Sequence, residues 1–193
     1  MSDEYNEDNL VEQATVDVLD SLGWEIERAW KNESFGKEGL LGRENKSEVI
    51  LQKYLLPKLR EFNPGLPESA YRDAHLQIAQ KEADKTLDRI NKEKYELLKN
   101  GVEVSFTNDD GELTKKRLKI FDYKNPENNH FLAVRQLEVV GELYNRRPDV
   151  VGFVNGIPLV FIELKAHHRD LQHAYDDNLK DYKDAIPCLL YTS

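Results

Sequence analysis

The stretch from residue 146 to residue 165, RRPDVVGFVNGIPLVFIELK, constrains this chain more than any other. Two apolar runs meet at Asn155-Gly156, and Asn-Gly between hydrophobic runs is a strong hairpin signal. Asp149 opens the first strand, while Glu163 and Lys165 stand near the end of the second. Strand side chains alternate between faces, so Glu163 and Lys165, two apart, emerge on one side. Carboxylates on otherwise apolar β-structure are costly without a compensating partner. A divalent metal bound to a phosphate is one such partner.

The register decides whether the two acids meet. A plain two-residue loop pairs Val154 with Ile157 and Pro148 with Glu163, which turns Asp149 to the opposite face. A three-residue loop, or one bulge, places Asp149 opposite or diagonal to Glu163. Pro158 lacks the amide donor that a regular central ladder uses. An odd-length loop or a bulge is therefore expected between Val154 and Leu159.

At 193 residues the chain suits one domain with a substantial core. Charged residues make up 33%, the formal net charge is −9 and the mean hydropathy is −0.69, as in a soluble protein. No apolar run approaches the roughly 18 residues of a membrane span. The acidic start, MSDEYNEDN, lacks the basic and apolar regions of a secretory signal, so a cytoplasmic location and no membrane partner are expected. The single cysteine, Cys188, excludes an intrachain disulfide and a cysteine-based zinc cluster. Net acidity implies weak standalone affinity for nucleic acid, so other components would deliver a DNA substrate.

Helical spacing covers residues 9–22, with Val11, Thr15, Val18, Leu19 and Leu22 on one face, Glu12 at its flank and Gly23 as the stop. Residues 31–45 read as an irregular loop. A second helix is expected to begin at 45–47, where Asn45 and Glu48 have capping-box spacing, and to carry Val49, Ile50, Tyr54, Leu55, Leu59 and Phe62 with a kink at Pro57. A turn at 63–67, a third helix over 68–83 and a charged segment to about residue 100 follow. Strands are expected at 102–107, 117–123 and 131–139, the first two joined by the turn at 108–111. Residues 115–119 read as the solvent side of a strand. Helical spacing returns over 170–184 and ends at Pro187. His167 and His168 read as solvated residues of the strand-to-helix junction. The order of elements is α/β in character.

Beyond these patterns, RPDVVGFVNGIPLVFIELK resembles the nuclease signature of type I restriction enzyme R subunits, a PD-(D/E)xK phosphodiesterase domain. The likeness extends to EVILQKYLLPKLREFNPGLP at 48–67, LLKNGVEV at 97–104 and NHFLAVRQLEVVGE at 129–142. It implies a restriction-endonuclease-like α/β core, a mixed β-sheet flanked by helices. It further implies one endonuclease domain over 1–193, helical over about 1–100 and bearing the catalytic sheet and following helix over about 101–193, as the N-terminal segment of a longer protein.

Carried over by position, the resemblance makes Asp149 and Glu163 ligands of Mg²⁺ and Lys165 the active-site lysine, which orients the attacking water or stabilises transition-state charge. Mg²⁺ suits one or two carboxylates completed by water and phosphate. Glu12 matches an acidic residue that such nucleases bring to the metal, often through water; an ordinary solvated glutamate is the equal alternative. Asn178 and Tyr182 stand where the family tends to have Gln-x-x-x-Tyr. Asn is one methylene shorter than Gln, which puts its reach in doubt, and Tyr182 fits a core aromatic at least as well. Arg146 and Arg147 divide evenly between DNA phosphate contacts and surface ion pairs.

No GxxxxGK[ST] loop occurs, so ATP, needed by the full-length protein, has no site here. The partners implied are double-stranded DNA, the methyltransferase and specificity subunits, and a helicase motor later in the same polypeptide. A catalytically silent docking module, coupling that motor to its partners, is the alternative from a different class.

Overall fold

The computed structural model describes residues 7–80, 85–108, 110–141 and 145–164. Lys165, His167, His168, Asn178, Tyr182 and the helix expected over 170–184 lie outside the described residues.

Helix α1 (Glu7–Ser21) leads through Gly23, at φ 84°, into strand β1 (Glu25–Arg28). Helices α2 (Gln52–Phe62), α3 (Glu68–Ala79) and α4 (Leu87–Asn100) follow. Then come strands β2 (Val102–Thr107), β3 (Leu113–Leu118), β4 (Phe131–Arg135), β5 (Val139–Val140), β6 (Asn145–Arg146), β7 (Val150–Val154) and β8 (Ile157–Ile162). The central sheet has the order β1-β4-β7-β8 and is mixed: β1 runs parallel to β4, and the remaining pairs are antiparallel. Two-stranded pairs β2-β3 and β5-β6 stand beside it. The helix-rich first hundred residues thus contribute a strand to the principal sheet. Among the described residues no helix is long and apolar enough to cross a membrane.

Several expected boundaries move, each for a local reason. The buried face of α1 carries Val16 and Glu12, whereas Val18 and Leu22 are exposed at 58% and 69%. Apolar spacing alone misses this because the helix is oriented partly by charge: Glu12 meets Arg135 of β4 at 2.6 Å. The second helix begins at Gln52 rather than at 45–47. Asn45 Oδ1 accepts the Ser47 amide at 2.9 Å, and the carbonyls of Lys46 and Glu48 accept from the buried Arg43 guanidinium. Those carbonyls are thereby turned away from a helical ladder. Pro57 lies within α2, as its position suggested.

Helix α3 ends at Ala79, short of residue 83, and the charged segment after it forms α4. Lys94 of α4 is buried and donates to the carbonyls of Gln77 and Ile78 at 3.0 and 2.9 Å, so a cation serves the end of α3. The β2-β3 hairpin forms with Lys115 and Lys116 exposed, but β3 spans Leu113–Leu118 instead of 117–123. Asn63 takes both backbone groups of Lys119, at 2.8 Å each, and leads Ile120 and Phe121 out of the strand into the core. Strand β4 stops at Arg135 because Gln136 adopts φ 52°, a left-handed conformation.

Two adjoining cores hold these elements. Leu41, Leu51, Leu132, Val134, Val151 and Phe153 belong to one; Leu55, Leu59, Tyr71, Leu118, Ile120 and Ile157 belong to the other. Both reach the β7-β8 hairpin, which is therefore clamped along its length.

Candidate active site

Asn155 and Gly156 form the hairpin turn with φ values of 51° and 78°, the two positive angles of a type I′ turn. Asn155 is fully buried. Its Nδ2 donates to the Ile120 carbonyl and to Asn129 Oδ1, both at 2.9 Å, and its Oδ1 accepts the His130 amide at 2.8 Å. The turn's position is thus set by the core rather than by its own geometry alone.

From the turn, Val154 faces Ile157 and Phe153 faces Pro158, but Gly152 faces Val160. Leu159 is the extra residue of a β-bulge. The loop keeps two residues and the odd residue enters the strand, within the interval where Pro158 required an irregularity. Pairing then resumes with Val151 opposite Phe161 and Val150 opposite Ile162. The paired residues end there, and extending the register by one step aligns Asp149 with Glu163. Were Leu159 itself paired in the ladder, the same extension would align the glutamate with Pro148.

Hydrogen bonds hold Asp149 from three directions. Its Oδ2 accepts the Leu164 amide at 2.7 Å, its Oδ1 accepts from Gln136 Nε2 at 3.2 Å, and its carbonyl accepts the Gln136 amide at 2.9 Å. Gln136 Nε2 also donates to Glu12 Oε2 at 3.0 Å, while Glu12 Oε1 accepts from Arg135 Nε at 2.6 Å. Glu12, buried at 7% exposure, is therefore not a solvated surface glutamate, and the Gln136 amide bridges it to Asp149. Glu163 is half-buried, with its Oε2 shielded from solvent. Among the described residues no group of three or more acidic, histidine or cysteine side chains is placed to hold a metal. The arrangement fits a dication taking two carboxylates, Asp149 and Glu163, and completing its shell with water and phosphate oxygen.

Arg146 lies in β6, paired with Val139. Arg147 is exposed, its guanidinium 4.0 Å from the centre of the Trp30 ring, and Lys31 Nζ stands 4.3 Å from the same ring. Trp30 follows β1 at the same end of the sheet as Gln136 and Asp149, so cations flank the acids. Trp30, Lys31, Arg135 and Gln136 did not emerge from sequence reasoning. The consecutive polar pair Arg135-Gln136, closing the apolar run FLAV, was the available signal.

The opposite end of the hairpin has a different character. An apolar cavity of about 840 Å³, bounded by Leu98, Phe121, Tyr123, Val154 and Leu159, lies there. Its greasy lining suits neither a dication nor a phosphodiester. Nearby, Tyr54 stacks on His130 at 4.9 Å, and its hydroxyl is pushed up to about 12 by burial, then by Glu25 and Glu27. It stays neutral at physiological pH.

Comparison with known proteins adds kinship to this geometry. The family model for the N terminus of type I restriction enzyme R proteins matches residues 4–192. The HindI type I restriction enzyme endonuclease subunit of Haemophilus influenzae is 38% identical over 188 residues, covering 93% of this chain and 17% of that protein. A putative type I restriction enzyme MjaIXP endonuclease subunit of Methanocaldococcus jannaschii is 31% identical over 189 residues, covering 95% of this chain and 18% of its own length. The EcoprrI endonuclease subunit of Escherichia coli is 29% identical over 160 residues, 76% of this chain and 50% of that sequence. The chain thus spans less than a fifth of the first two relatives. With nearly every residue inside the match, the chain belongs to the type I restriction enzyme R protein N-terminal family.

Proposed function

We propose that this chain is the endonuclease domain of a type I restriction R subunit, hydrolysing phosphodiesters of double-stranded DNA with Mg²⁺, on a restriction-endonuclease-like core. The Leu159 bulge, whose register extended by one step aligns Asp149 with Glu163, carries this reading, and family membership supports it. Asp149 and Glu163 are the residues that would hold the dication. When bound, Mg²⁺ supplies Lewis acidity to the phosphate and lowers the pKa of a bound water. Lys165, two residues beyond Glu163 in the sequence, orients that water or stabilises charge on the phosphate. Hydrolysis forms one P–O bond from water and breaks one ester P–O bond; the departing oxygen takes a proton. Arg147, held on Trp30, contacts DNA phosphate.

In the full protein, ATP-driven translocation and the methyltransferase and specificity subunits bring DNA to this site. The net charge of −9 suits a domain whose substrate is delivered. The test is cleavage by the assembled complex. Asp149→Ala, Glu163→Ala and Lys165→Ala should each abolish DNA scission while ATP hydrolysis and translocation continue. Wild-type scission by any of the three defeats the assignment. A catalytically silent docking module instead predicts no Mg²⁺ or Mn²⁺ binding in calorimetry.

A further inference from the structure

Gln136 hydrogen-bonds both Glu12 and Asp149 at this end of the sheet. Its backbone is left-handed at φ 52°, uncommon for a residue other than glycine or asparagine. Its own amide, bonded to the Asp149 carbonyl at 2.9 Å, helps keep it there. The side-chain Nε2 lies 3.0 Å from Glu12 Oε2 and 3.2 Å from Asp149 Oδ1. An NH₂ group has two protons, so it serves both acids at once.

The chemistry of that group matters. A lysine or arginine between two acids would cancel charge that a dication needs. An amide orients the carboxylates and offers them its dipole without adding a charge of its own. A carboxylate oxygen has two lone pairs, so accepting from Gln136 does not by itself exhaust Asp149 Oδ1. Glu12 is anchored on its other side by Arg135 at 2.6 Å, so its position is fixed from β4. The contacts run in sequence from Arg135 through Glu12 and Gln136 to Asp149.

We propose that Gln136 is a positioning residue, aiming the Asp149 carboxylate at the dication and transmitting to it the placement of Glu12. Glu12 then acts on the metal centre through an amide, without coordinating the ion. This rests on the metal-centre reading above and names the residue that tunes it.

The test is Mn²⁺ binding to the 193-residue chain, measured by calorimetry, with no DNA present. Gln136→Gly keeps the left-handed backbone and removes only the amide, and should weaken Mn²⁺ binding about tenfold, as loss of an outer-shell partner does. Glu12→Gln leaves residue 136 intact and should weaken binding to a similar degree. The double variant should be no worse than the weaker-binding single variant, because the two residues act in series. Unchanged affinity in both single variants, or losses that multiply in the double, overturns the proposal. Asp149→Ala separates the two readings. If wild-type binding is lost in Asp149→Ala but survives Gln136→Gly and Glu12→Gln, only the role of Gln136 falls. If the wild type binds no Mn²⁺ at all, the metal centre falls with it.

Discussion

The carbonyl of Gly156 accepts the amide of Leu51 at 2.8 Å, fastening the hairpin turn to the residue that precedes α2. A Cβ at position 156 would lie 2.4 Å from the Leu51 oxygen and 3.0 Å from the Leu55 nitrogen, both backbone atoms that cannot swing aside. Gly156→Ala should therefore destabilise the fold by about 3 kcal/mol, combining backbone strain with displacement of α2. Gly65 has the same φ of 78° and open space around it. Gly65→Ala should cost only about 1 kcal/mol, the price of the left-handed angle alone. Chemical denaturation of the two variants measures the difference, and equal losses would remove the turn's role as an anchor.

Leu159 offers a test of register. Deleting it should remove the bulge while leaving Val160 opposite Gly152, so the alignment of Asp149 with Glu163 survives. We expect Mn²⁺ affinity and the far-ultraviolet circular dichroism to stay close to wild type. A loss of about tenfold or more would mean that the acids depend on the bulge itself and not on the register.

Arg147 on Trp30 gives a salt-dependent prediction. If the guanidinium contacts one phosphate, Arg147→Ala should lower the slope of log affinity against log salt by about 0.9 for a short duplex. Fluorescence anisotropy across a salt series reads this directly. Trp30→Ala should lower the slope in the same way by releasing the guanidinium, and an unchanged slope in both would assign Arg147 to surface stacking.

Asp122 governs an acid-sensitive knot at the other end of the hairpin. Its carboxylate is held well below the usual range by Asn128 Nδ2, then by Lys119, with the amides of Asn125 and Lys124 adding to the effect. A depressed folded-state pKa means that the unfolded chain binds the proton first. Stability from this group is therefore fully present above the unfolded value of about 4 and is lost as pH falls toward the folded value. The gap in denaturation midpoint between wild type and Asp122→Asn should be constant at neutral pH and shrink below about pH 4. A gap independent of pH would contradict this.

Local chemistry made the hairpin legible from sequence. Asn155-Gly156 announced a turn with two positive φ angles, and the missing donor of Pro158 demanded an irregularity beside it. Gly23 and the Asn108–Gly111 turn spoke equally plainly. What stayed hidden depended on distant partners. Glu25–Arg28 is only four residues long and becomes a strand because β4 lies alongside it. Helix α4 reads in sequence only as a charged segment, because one of its cations, Lys94, is engaged at the end of α3. The late start of α2 follows from claims that Arg43 makes on nearby carbonyls, which no helical periodicity records. Asp149 and Glu163 could be placed by counting along a ladder, whereas Gln136 needed Glu12 in view, 124 positions away.

The parallel pairing of β1 with β4 joins Glu25 to Leu132, across more than one hundred intervening residues. During synthesis, the strand at the edge of the sheet leaves the ribosome early and finds its neighbour only when most of the domain has followed. Such a topology makes closure of the acidic end a late event in folding, because distant contacts must bear the loop entropy before they are rewarded. The hairpin's own contacts are local, whereas the acidic end is complete only once β1 has reached β4.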